Sequence, residues 1–217
     1  MPQSPAAVTV PRSADIDDAM QIQTCRGTEV APHLDAVAAL RIAVFRDWPY
    51  LYDGDRAYEA HYLATYARSP RSLFVLAFDG DRVVGASTAI PIADETASFQ
   101  QPFREHGIPL EQVFYFGESV LLPAYRGRGL GHRFFDEREA CARRLGGFTT
   151  TAFCAVERAP DDPRRPVGHR DNDALWSKRG YRRQDDMFCE LDWQEIGRDA
   201  PSRHRLRFWL RDLEPSA

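Results

Sequence analysis

Gly117-Glu118-Ser119-Val120-Leu121-Leu122-Pro123-Ala124-Tyr125-Arg126-Gly127-Arg128-Gly129-Leu130-Gly131 is the stretch that decides how this chain is read. It continues the apolar run that begins at Val113, passes a proline, crosses three glycines in five residues and enters a helical pattern. Leu130, Phe134, Cys141 and Leu145 recur along one stripe of Gly129–Leu145, and Gly146-Gly147 ends it. A helix N-terminus presents unpaired N–H groups and a partial positive charge. Glycines ahead of it let the backbone turn sharply and let a ligand approach the main chain. The strand-turn-helix therefore predicts a nest for phosphate or pyrophosphate, with Arg126 and Arg128 adding charge.

Two familiar glycine motifs fail here. A P-loop requires Gly-Lys-Ser/Thr at its end, and Gly131 is followed by His132-Arg133. A dinucleotide fingerprint starting at Gly127 requires glycine at position 132, where His132 stands.

Outward from the turn, the patterns give strand, two helices, three strands, helix, strand, helix and two strands. Met20–Cys25 is a short first strand. Val37, Leu40, Val44, Phe45 and Trp48 recur at helical spacing up to Pro49, and a second helix covers Ala57–Ala67. Ser72–Phe78 and Arg82–Ile90 form a hairpin about Asp79-Gly80-Asp81. Pro91–Gln112 is a long connection with a short helix near Phe99–Glu105. Phe148–Val156 is a strand, and Asp171 or Asn172 caps a short helix through Arg179. Alternation at Met187–Trp193 and Leu206–Leu210 marks two final strands, antiparallel and closing one side of the sheet. The class is mixed α/β around one sheet, not a regular doubly wound alternation. Residues 1–19, rich in Pro, Ser, Ala and Asp, read as a flexible tail, and 20–217 as one domain.

With 28% charged residues and a net charge of −4, no basic stripe points to nucleic acid or an anionic membrane. The N-terminus lacks a signal peptide's charged start and apolar core. The four cysteines have neither CxxC nor zinc spacing, so no metal is expected and reduced thiols in the cytoplasm are.

The quoted stretch, Arg-x-x-Gly-x-Gly after a strand that ends in an apolar pair and proline, resembles the GNAT superfamily of N-acetyltransferases. Asp173-Ala-Leu-Trp-Ser-Lys-Arg-Gly-Tyr181 is similar to that family's helix and Gly-aromatic motif, in the expected order. The resemblance extends from about Met20 to the C-terminus. It implies an acyl-CoA N-acyltransferase fold: a mixed, mostly antiparallel sheet splayed between the Val113–Leu122 and Phe148–Val156 strands, with flanking helices. It implies acetyl-CoA as cosubstrate, its pyrophosphate on the amides of Arg126–Gly131, including Gly127, Gly129 and Leu130. Its pantetheine arm would run beside the main chain of Ser119, Val120 and Leu121, where one N–H would polarise the thioester carbonyl.

Direct transfer to an amine requires a base, because a lysine-like amine has a pKa near ~10.4. Glu118 is the first candidate, a lone carboxylate between Phe114, Phe116 and Val120, where loss of water favours a base role. The family's usual acid is a tyrosine four residues before the glycine; here that position is Trp176, whose indole cannot titrate. Tyr115 and Tyr181 are the substitutes, and Trp176 is assigned to packing on the pantetheine arm. The link between the first two helices supplies the acceptor candidates: Trp48, Tyr50 and Tyr52 as walls and Asp53 or Asp55 for a cationic amine. Asp94, Glu95 and Gln100 of the long connection are further polar candidates. The expected partner is a small-molecule or peptide amine, and exposed final strands offer an edge for a homodimer. The competing expectation is a non-catalytic acyl-CoA-binding or sensing domain of the same fold.

Overall fold

The computed structural model describes residues 20–214; the tail assigned to residues 1–19 lies outside them. Among the described residues seven strands and five α-helices follow one another as β1 (Met20–Cys25), α1 (Leu34–Phe45), α2 (Arg56–Arg68), β2 (Leu73–Asp79), β3 (Arg82–Pro91), α3 (Ala97–Glu105), β4 (Val113–Leu121), α4 (Leu130–Leu145), β5 (Thr150–Val156), α5 (Asp173–Lys178), β6 (Arg182–Trp193) and β7 (Ser202–Asp212). The strands form one sheet in the order β1-β2-β3-β4-β5-β7-β6. All neighbours are antiparallel except β4 and β5, the pair joined through α4. No helix among the described residues is long and apolar enough to cross a membrane.

Both faces of the sheet are covered, and each has its own core. On one, α1, α2 and α3 bring Val37, Leu40, Leu63, Tyr66 and Phe103 onto Tyr115, Cys154 and Phe208. On the other, α4 brings Phe134, Phe135 and Cys141 onto Phe114, Phe116, Phe153 and Tyr181. Burying large side chains on two faces supplies the apolar area that holds the layers together.

Two departures from regular pairing position the site. Between β3 and β4 the register runs Ser87↔Ser119 and then Ala89↔Phe116, so β4 carries one residue more than β3 across that interval. This is a bulge at Gly117-Glu118, and it changes which way the next side chain points. Tyr115 packs on the α1–α2 side and Phe116 on the α4 side. Strict alternation would return Glu118 to the α4 side; the extra residue leaves it with Tyr115 instead. The second departure is at β5. It pairs with β4 through Val113↔Thr150, Phe114↔Thr151 and Tyr115↔Ala152 and no further. From Phe116 to Leu121 that edge of β4 has no strand beside it, and the main-chain groups on it lack a ladder partner. The sheet is splayed where the resemblance requires.

The strand ends differ modestly from the patterns. β6 starts five residues before Met187 because Arg182–Asp186 is polar on both sides of an edge strand, so alternation is blind to it. A 3-10 segment at Gly27–His33, which has no periodic signature, fills the path from β1 to α1.

Candidate active site

The turn between β4 and α4 is built from backbone. Gly127 and Gly129 both have φ of +79°, a left-handed conformation that disfavours any side chain. Gly129 is the residue before the first turn of α4, and no side chain caps the helix there. Arg128 donates Nη2 to the Ala124 carbonyl at 3.0 Å, while its Nη1 is buried without a protein partner. Arg126 donates Nε to the Leu121 carbonyl at 3.2 Å, tying the turn to the open end of β4. An uncapped helix start beside an unsatisfied guanidinium N–H fits a pyrophosphate.

On the other face lies a cavity of about 590 Å³, counting its open mouth, against β4 and β5 at the point where they separate. Tyr115, Gly117 and Glu118 form its floor with Cys154, while Arg41 and Glu59 enter from α1 and α2. Glu118 is buried and bound twice at one oxygen: Arg41 Nη1 lies 2.8 Å away and the Tyr62 hydroxyl donates at 2.9 Å. Arg41 also pairs through Nε with Glu59, which is fully buried. Its guanidinium stacks 4.0 Å from the Tyr62 ring centroid. Burial works against the charge on Arg41, but Glu118, Tyr62 and Glu59 outweigh it and hold the pKa well above its ordinary value. Burial pushes the Glu59 carboxyl up, against the pull of Arg41. It also holds the phenols of Tyr62 and Tyr115 well above their usual range, so both keep their protons at neutral pH.

The main chain of Glu118 is fixed from three directions. Its carbonyl accepts from Ser87 Oγ at 2.8 Å and from Arg138 Nη1 at 3.3 Å, and its N–H reaches Thr88 Oγ1 at 3.4 Å. Arg138 is fully buried, lies 4.2 Å from the Phe116 ring centroid, and has its pKa lowered to about 10 by burial. Gly117 admits no side chain: an added Cβ would lie 2.2 Å from the Tyr66 hydroxyl and 2.6 Å from Thr88 Oγ1.

Residues 37–167 match the Acetyltransferase (GNAT) family. The chain belongs to that family. No curated protein matches the sequence, but solved structures match the fold. An N-acetyltransferase from Staphylococcus aureus Mu50 superposes with a TM-score of 0.55 at 13% identity, over 90% of this chain and 99% of the other. An acetyltransferase from Streptococcus agalactiae 2603 gives 0.57 at 17%, over 90% and 99%. The candidate acetyltransferase yncA of Salmonella typhimurium, solved with its cofactor acetyl-CoA, gives 0.51 at 15%, over 92% and 96%.

Against this GNAT framework the site residues expected from sequence divide. Glu118 and Tyr115 face the same cavity, but Glu118 is not a lone carboxylate among phenylalanines. Phe114 and Phe116 point to the opposite face, the bulge turns Glu118 away from them, and Arg41 and Tyr62 stand beside the carboxylate instead. Tyr115 donates to or accepts from Cys154 Sγ at 3.1 Å. Tyr181 lies on the α4 face, its hydroxyl 3.0 Å from Thr151 Oγ1 and 3.3 Å from Glu139, away from the cavity. Trp176 is half-buried, its ring packed on Phe153 and Trp209 at 5.0 and 5.2 Å. Tyr50 and Tyr52 reach the cavity, and burial pushes the Tyr52 phenol up to about 12. Trp48 turns instead to Arg158 and His169. Asp53 is exposed beside Arg46, and Asp55 caps α2 by accepting from the Tyr58 N–H at 2.7 Å. Asp94, Glu95 and Gln100 bond to Ser69, to Tyr66 and to main-chain groups of their own loop.

Sequence reading missed Arg41, Glu59, Tyr62 and Trp193. The signals were faint but physical. Arg41 occupies an apolar-stripe position, four residues after Val37, and Glu59 sits among Tyr58, Tyr62 and Tyr66 at helical spacing. A charge on each of two buried stripes implies that the charges meet.

Proposed function

We propose that the protein is an acetyl-CoA-dependent N-acetyltransferase that passes the acetyl group directly to a primary amine within a ternary complex. The supporting observation is the opening between β4 and β5. It has an uncapped, arginine-flanked helix start on one side and a buried carboxylate on the other.

In this reading the pyrophosphate of acetyl-CoA lies on the Arg126–Gly131 turn, with Gly127, Arg128, Gly129 and Leu130. The arm follows the open edge along Ser119, Val120 and Leu121, where the N–H groups of alternate residues orient the thioester. Trp176 supports the opposite wall through Phe153. The acceptor enters between α1, α2 and the sheet, along Tyr50 and Tyr52; Trp48 and Asp53 act by shaping that loop. Glu118 takes a proton from the arriving ammonium, and the freed lone pair forms the C–N bond. As the C–S bond breaks, the electron pair goes to sulfur, and the proton still to be lost from nitrogen balances it. Tyr115, protonated and beside the split, is the donor best placed to relay a proton to the thiolate. Tyr181, held by Thr151 and Glu139, serves the fold.

A thiol-release assay with acetyl-CoA and a broad amine panel tests the reading. Amine-dependent release of coenzyme A is expected. Coenzyme A binding with no release on any amine would favour a sensing domain, and the absence of coenzyme A binding would remove both.

A further inference from the structure

The cavity specifies its occupant more closely than one carboxylate could. Glu59 is 0% exposed and Glu118 8%. Each gives one oxygen to Arg41 and keeps Oε1 buried without a hydrogen bond of normal geometry, the Tyr52 hydroxyl being the protein donor that comes near Glu59. A buried acceptor left unpaired carries the full cost of its lost hydration, so two on one cavity wall mark where a donor belongs. Among the described residues Arg41 is the one cation lining the cavity, so two carboxylates against one guanidinium leave a single formal negative charge. The nearby acids are already engaged: Glu95 accepts from Tyr66 and from the Thr96 N–H, Asp53 pairs with Arg46, and Asp55 caps α2. The rest of the wall is largely aromatic. Tyr50 and Trp193 pack 5.7 Å apart, Tyr62 lies under Arg41, and Tyr58 stands at the mouth, 45% exposed. Such faces attract one cation and stack on a flat apolar body.

We infer that the acceptor is a small primary amine with one positive charge on an apolar, aromatic body. Its ammonium is directed to Oε1 of Glu59 and Glu118, and its body lies against Tyr50, Tyr62 and Trp193. The acetylation of that amine rests on the transferase reading above; its binding does not. A polyamine or aminoglycoside would carry further charges that this wall leaves unpaired, and a peptide amino terminus would bury backbone amides against rings that offer few partners.

Calorimetric titration of the full chain, with and without coenzyme A, tests this with 2-phenylethylamine, its neutral counterpart 2-phenylethanol, spermidine and a short peptide with a free amino terminus. The aromatic amine should bind at least ~10-fold more tightly than each of the others, since the alcohol cannot supply a charged donor. Equal binding of the alcohol, tighter binding of spermidine or the peptide, or no binding of the amine would each overturn the inference. Glu59→Gln should weaken the amine by ~10-fold or more and leave 2-phenylethanol and coenzyme A unchanged; an unchanged amine affinity in the folded variant also counts against it. Because the ligand panel uses the unaltered protein, the inference stays testable if that variant does not fold. Selective amine binding without thiol release would leave this inference standing and remove the transferase reading alone.

Discussion

The two faces of the sheet at the β4–β5 split are built by different means. On the α4 face the proposed anion site is made of consecutive backbone: two left-handed glycines, a helix start without a cap, and arginines two positions apart. On the α1–α2 face the site is made of side chains from distant segments, Arg41 and Glu59 from separate helices, Glu118 from a bulged strand and Trp193 from the sheet edge. The first kind of site binds a group common to many reactions. In the proposed reading the second kind sets which molecule reacts, and its side chains come from segments other than the turn.

The widest separation between the faces should come from Glu118→Gln. If the carboxylate acts as base, kcat falls by at least ~100-fold while coenzyme A binds as before; steady-state kinetics beside calorimetry reads both, and unchanged kcat removes Glu118 from the mechanism. Gly117→Ala attacks the bulge itself. Forcing a methyl against Tyr66 and Thr88 should cost ~1–3 kcal/mol in urea unfolding, and an unaltered midpoint would mean the two layers are not in contact there. Arg128→Ala should do the reverse of Glu118→Gln, weakening coenzyme A by ~10-fold through loss of charged hydrogen bonds and leaving amine affinity alone. The smallest effect concerns pH. His204 stacks on Trp193 at 3.7 Å, and burial, then Arg158, lowers its pKa below 6.5. A depressed folded pKa means the unfolded chain binds the proton better, so this contribution to stability is present above pH 6.5 and is lost as pH falls through the folded value. Unfolding midpoints at pH 7.5 and 5.5 should differ less in His204→Gln than in the parent; an equal difference would assign the pH dependence elsewhere.

The same contrast explains what could be read in the chain before its fold was known. The strand-turn-helix was legible because every part of it is local: glycine conformation, helix start and adjacent arginines lie within a dozen residues. The element order followed from periodicity for the same reason. The direction of Glu118 was not legible, since it depends on one extra residue in β4 relative to β3, and register is a property of a pair of strands. Without that register Glu118 appeared to sit among Phe114 and Phe116. Arg41 and Glu59 are 18 positions apart and on different helices, and nothing short of the packing of α1 on α2 brings them into contact. Tyr115 and Tyr181 are both aromatics near the motifs, but Tyr115 faces α1 and α2 from β4, while Tyr181, in the turn before β6, packs on the α4 side.

The three residue pairs that join β4 to β5 also have a mechanical meaning. Strands β1–β4 and β5–β7 are two boards on a short spine, strapped together by α4, by α3 lying against β6, and by the α1–α2 link, where the Asp53 N–H donates to the Gln194 carbonyl and the Ile196 N–H to the Leu51 carbonyl. A ligand lodged in the gap would act as a rivet through both boards. Its binding free energy would then be added to the work of prying them apart, so thermal resistance should climb with the logarithm of ligand concentration once the gap is occupied.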